Sequence, residues 1–141
     1  MTDIHRLAQL LAACWKVSGE NSRIPTSHGL LDRALKKTCE SGDFPDWARK
    51  RLHFVDSRIG LQCVELPDIL EWAQRSQLTS VPNPSYETTE VQISDRIAKH
   101  LLSQLGIADQ DATKWGQSLR AAMSIAEGQL VGLDQARVEE Y

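Results

Sequence analysis

The chain has 141 residues, 41% of them apolar and 25% charged, with a net charge of −3. That length and balance fit one folded domain with its own core and exclude a disordered or low-complexity chain. The charge is uneven: residues 1–60 hold 10 Lys/Arg against 7 Asp/Glu (+3), and residues 61–141 hold 6 against 12 (−6). The excess is too small and too spread out to mark a nucleic-acid footprint by itself.

Residues 3–17 read as a helix, because Ile4, Leu7, Ala8, Leu11 and Trp15 recur at helical spacing. Leu10, Cys14 and Val17 widen the stripe beyond one face, so this helix is expected either to lie between other elements or to dock on another chain. Leu10 is therefore a candidate partner-binding residue. A second helix is expected over residues 27–40, started by Pro25 with Thr26 or Ser27 and stopped at Gly42. Its inner residues are Leu30, Leu31, Ala34 and Leu35, and Lys36 and Lys37 lie outside. A short helix should follow, with Asp43 as cap, Pro45 in the first turn and Trp47 as anchor.

The period then changes. Leu52, Phe54 and Val55, then Ile59, Leu61, Cys63, Val64 and Leu66, bracket Asp56, Ser57, Arg58 and Gly60. This pattern predicts a small β hairpin or irregular β element near 52–66. Pro67 opens a helix that runs to about Gln77. Its inner face is Leu66, Ile69, Leu70 and Ala73, and Trp72 lies well off that face, a second candidate partner-binding residue. Residues 78–92 read as a linker: Pro82-Asn83-Pro84 forces a turn or extended chain. Tyr86 to Val91 fits an edge strand or plain linker.

Ser94 caps a helix with Ile97, Ala98, Leu101, Leu102 and Leu105 inside. Gly106 fits a left-handed stop, and Asp109 starts another helix. Ala112, Trp115, Leu119, Ala122 and Ala126 form a narrow seam beside Gly116, which invites close approach of a neighbouring helix. Gly128 should end this helix, leaving an acidic tail from residue 129 to 141. Two helices joined so tightly predict an antiparallel helical hairpin over 93–128, with Trp115 and Leu119 buried against Leu101, Leu102 and Leu105.

The fold class expected is mainly α: one compact multi-helix domain spanning residues 1–141, with a small β element and a C-terminal helical hairpin. A subdivision into residues 1–77, linker 78–92, hairpin 93–128 and tail 129–141 is the alternative.

Sites for chemistry are sparse. Cys39, His53 and Cys63, preceded by His28, are too widely spaced for the paired ligands of a zinc site. Three scattered cysteines fit reduced thiols in a cytoplasmic protein rather than a disulfide framework. No phosphate-cradling glycine loop is present, and no apolar run approaches a signal peptide or a membrane span. No cofactor, metal or enzymatic site is expected. The surplus apolar surface points instead to an interaction module, an adaptor, assembly subunit or regulator that binds a protein partner or a second copy of itself. The alternative is a nucleic-acid-associated regulator. It would use Arg49, Lys50 and Arg51, with Lys36 and Lys37, among the aromatic residues Trp47 and Phe54.

Overall fold

The computed structural model describes residues 3–80 and 88–139, with side chains described as far as Gln129. The chain runs α1 (Asp3–Ser18), β1 (Arg23–Pro25), α2 (Leu30–Glu40), α3 (Asp46–Arg51), β2 (Phe54–Ser57), β3 (Gly60–Cys63), α4 (Leu66–Arg75), β4 (Thr88–Glu90), α5 (Asp95–Gln104) and α6 (Asp109–Glu139). It is mainly α, with two small antiparallel sheets among the described residues, β1–β4 and β2–β3.

The first helix is the axis of the molecule. Every residue from Leu7 to Trp15 is buried, because α1 packs against α4, α5 and α6 at once. A helix that is apolar all round is an interior helix. This settles the over-wide stripe: it faces several neighbours within the chain. Leu10 is 3% exposed and lines a small apolar void with Leu35, Phe44 and Ile69. The expectation that it meets a partner is corrected accordingly.

α6 crosses α1 at Gly116. A Cβ built there would lie 2.5 Å from the Ser18 side chain and closer still to the Cys14 carbonyl. The small-residue seam therefore serves an internal helix crossing. Leu119, Ala122, Met123 and Ala126 continue it into the core, and α6 also packs on α2.

At the same crossing Arg120 closes the end of α1. Its Nη2 donates to the carbonyls of Trp15 at 2.6 Å and Asn21 at 2.7 Å. Its Nε donates to Ser18 Oγ at 2.9 Å. Its guanidinium lies 4.2 Å from the centre of the Trp15 ring. The last carbonyls of a helix lack partners within the helix, and here a side chain about a hundred residues downstream supplies the donors.

The tight connection between α5 and α6 is as expected. Ser94 Oγ accepts from Ile97 N, Gly106 has φ +72°, and Ile107 N donates to Leu102 O at 2.9 Å. The packing differs. α5 packs mainly on α1 and α6 on both α1 and α2, and the two meet each other only briefly. Trp115 is half-buried with its edge toward Phe44, centroids 6.4 Å apart, instead of sitting against Leu101, Leu102 and Leu105.

Other boundaries move. α2 starts at Leu30, behind a left-handed Gly29 at φ +68° with no side-chain cap, and Pro25 belongs to β1. α6 runs through Gly128 to Glu139, so the expected tail is helical as far as the described residues extend. The Pro82–Pro84 turn lies outside the described residues. Either side of it, the 78–92 stretch is built into the body. Leu78, Thr79, Thr89, Val91 and Ile93 are all buried. Thr89 Oγ1 donates to Ser80 O, and β4 pairs with β1 in the register Arg23 to Glu90. An edge strand four residues or fewer in length has no hydrophobic periodicity to reveal it, and β1 finds its partner far along the chain.

Candidate functional site

The β2–β3 hairpin forms as the alternation requires. Phe54 pairs with Cys63 and Ser57 with Gly60. Gly60 takes φ +112° in the turn, and Ser57 Oγ ties across it to Gly60 O at 2.8 Å. Two carboxylates fasten the open end. Asp32 of α2 accepts from Cys63 N at 2.7 Å. Glu65 accepts from His53 N at 2.7 Å and stands 2.8 Å from His53 Nδ1.

Successive strand residues face opposite sides. Cys63 turns inward and is buried, while Val55 and Val64 turn outward at 47% and 53% exposure. Ile59 stands at the tip, 84% exposed. Three large apolar side chains thus occupy the outside of one eight-to-ten-residue element. Beside them an open groove of about 570 Å³ runs between the hairpin and the start of α4, bordered by Val55, Gln62, Val64, Pro67 and Leu70, with Asp32 at its side. Among the described residues β2 pairs only with β3, so its outer edge has no strand partner among them.

Of the residues singled out in the sequence, Trp72 is half-buried and stacked on His5, with ring centres 4.2 Å apart and planes 28° from parallel. The basic residues separate. Lys36 lies 3.8 Å from Glu40, and Lys37 is exposed on the same helix. Arg49 is half-buried, bonds Asp46 of its own helix and lies over Gly42, so it braces the end of α2. Lys50 and Arg51 share a second open cleft with Trp47 and Asp46. Arg51 also pairs with Asp3 at 3.1 Å, and Arg6 lies 5.1 Å from the centre of the Trp47 ring. The structure therefore brings Lys50, Arg51, Arg6 and Trp47 together, whereas Lys36 and Lys37 do not line this cleft.

The thiols are poor nucleophiles. Burial pushes the Cys14 thiol up to about 12. Cys63 also rises to about 12, chiefly by burial and further by the Glu65 and Asp32 charges, against the lowering effect of the Glu65 and Leu66 backbone N–H groups. Burial raises Cys39 to about 11 despite nearby Arg49. A thiol is reactive as the thiolate, and these hold their protons through the neutral range. His53 turns its Nδ1 to Glu65 rather than to Cys63. Among the described residues, no group of three His, Cys, Asp or Glu side chains is placed to hold a metal ion, and no helix is long and apolar enough to cross a membrane.

The chain matches no known protein family, and no curated protein or solved structure shows significant similarity to it.

Sequence reasoning used Val55, Ile59 and Val64 as part of the apolar pattern of 52–66 without assigning them to a face. The signal that separates them was present: Val55 follows inward Phe54 and Val64 follows inward Cys63, so the alternation puts both valines outside. Arg120 left no local signal, because its partners are about a hundred positions away.

Proposed function

We propose that this protein is a non-enzymatic protein-interaction module whose working surface is the outer side of the β2–β3 hairpin and the adjoining start of α4. One observation carries the reading: Val55 and Val64, both largely exposed, border one open groove, and Ile59 stands exposed at the tip of the same hairpin. Exposed apolar side chains scattered singly mean little, whereas apolar side chains that border one groove favour an interface. The outer edge of β2, with no strand partner among the described residues, adds backbone donors and acceptors of the kind used in strand addition. The partner is a protein presenting an apolar surface, and the module acts by binding it, as an adaptor, an assembly subunit or a regulator would.

The test compares the native chain with a Val55→Thr, Ile59→Asn, Val64→Thr variant, tagged and captured from the cell that makes the protein. Threonine keeps strand propensity while removing apolar surface, so the variant should unfold at the same temperature. The reading expects one or more proteins retained by the native chain and lost from the variant, with direct binding reproduced by the purified pair. A second copy of the chain captured in the same hairpin-dependent way would identify self-association as the mode. Identical captures by both chains would refute the hairpin as the working surface.

A further inference from the structure

We propose that the cleft against α3 binds a nucleobase carrying phosphate, with Trp47 as the stacking surface and Lys50 and Arg51 as the phosphate contacts. This site is independent of the hairpin. The cleft is open, about 530 Å³, and lined by Asp46, Trp47, Lys50 and Arg51.

Each lining residue has a part that its surroundings leave available. Trp47 packs partly on the core, which fixes the indole, while the rest of the ring borders the cleft. Arg6, outside the cleft lining, lies 5.1 Å from the centre of the same ring and adds a further cation beside the site. Lys50 is exposed and enters none of the ion pairs among the described residues. Arg51 is held only by Asp3, across a pair in which the side chains are 61% and 43% exposed. Exposed pairs of this kind contribute at most about 1 kcal/mol, so a phosphate can replace the carboxylate. The acid inside the cleft, Asp46, is bonded to Arg49, which offsets its repulsion of an anion. Rings interleaved with cations recognise single-stranded nucleic acid with little sequence preference, because every base offers a π face. A free nucleotide offers the same base and phosphate.

Fluorescence anisotropy on the full chain decides the matter. The probes are short labelled single-stranded RNA and DNA, a duplex of the same sequence, adenosine monophosphate and inorganic pyrophosphate. The proposal expects single strands to bind at about 50 mM salt and to weaken steeply toward 200 mM, and the duplex to bind less well. Trp47→Leu should weaken binding at least about fivefold, the smaller end of what loss of one stacked base produces. Lys50→Gln and Arg51→Gln should each reduce the salt slope by about one, while Lys37→Gln leaves it unchanged. Adenosine monophosphate competing as well as a strand would make free nucleotide the source of the same chemistry. Because Trp47→Leu removes packing, Lys50→Glu, a change at an exposed side chain, provides a second test and should abolish binding with the circular dichroism spectrum unchanged. The proposal is overturned by no binding at low salt, by pyrophosphate competing as well as nucleotide, or by full affinity in folded Lys50→Glu.

Discussion

Replacing Gly116 by Ala should destabilise the protein, although the same change in an ordinary helix interior stabilises it by about 1 kcal/mol. The added methyl carbon would lie 2.5 Å from the Ser18 side chain and closer to the Cys14 carbonyl. The carbonyl is backbone and belongs to the most buried helix of the fold, so it cannot swing aside as a long side chain would. α1 and α6 must separate by about an ångström, and a gap of that size forfeits roughly a quarter to a half of each dispersion contact across it. Overpacking of this kind costs about 1–3 kcal/mol, and widening the crossing also strains the Arg120 bonds to the Trp15 and Asn21 carbonyls. We expect a net loss of about 1–2 kcal/mol after the helix-propensity gain is subtracted from the overpacking cost. Gly128→Ala is the internal control. It lies in the same helix with nothing within 4 Å of its added carbon, and should be neutral or stabilising by up to about 1 kcal/mol. Urea unfolding followed at the helical circular dichroism band measures both. Equal stabilisation by the two substitutions would show that α1 and α6 do not cross at Gly116.

Trp15→Ala should cost about 3–5 kcal/mol, the range for emptying a buried aromatic site, whereas Trp72→Ala and Trp115→Ala, both half-buried, should each cost roughly half as much; thermal unfolding of the three variants ranks them. Arg120→Met should cost about 1–3 kcal/mol by orphaning carbonyls at the end of α1, and Arg120→Lys should recover little, since an ammonium lacks the planar fork; a fully rescued unfolding temperature in the lysine variant would contradict the clamp. Ser94→Ala should lose about 1 kcal/mol with the cap on α5, read from the urea midpoint. The folded thiols hold their protons toward 11 or 12 against an ordinary 9.0, so the native state binds more protons than the unfolded one. Their contribution is complete below pH about 9 and disappears as pH rises through the folded values. Alkylation at neutral pH should therefore be slow in the native protein, with half-buried Cys39 first, and fast in urea; rapid native modification of Cys14 would overturn its placement.

The helices were legible because each carries a single chemical instruction over many residues. Leu101 and Leu102 with Ser94 and Gly106 state a face, a start and a stop, and the structure uses all four. The hairpin was legible because the period changed at Leu52. What could not be read was which surface meets which. Trp115 and Gly116 are neighbours on α6, and nothing local says that the glycine marks the crossing while the tryptophan flanks it toward Phe44. Leu10 has the same composition of neighbours whether three helices of the same chain cover it or one helix of another. Gly128 looked like a stop because glycine usually is one; an interior glycine costs only about 1 kcal/mol, too little to end a helix that continues on both sides. For the basic run, the sequence showed charge but not pairing. Arg49 is half-buried and bonded to Asp46, whereas Lys50 and Arg51 line the cleft with Trp47.

The position of α1 at the centre has a consequence for how the protein is made. Its cover includes α6, and Arg120, which closes its last turn, is 105 residues downstream of Trp15. At about 5–20 residues per second, that helix waits roughly 5–20 s on the ribosome for its lid. During that interval a nascent segment buried along most of its length has only the elements before α6, as they emerge, to shelter it. Substitutions that weaken the α1–α6 crossing should therefore lower the soluble yield during synthesis more than their equilibrium cost implies, and slowing translation beyond Gly106 should magnify the loss.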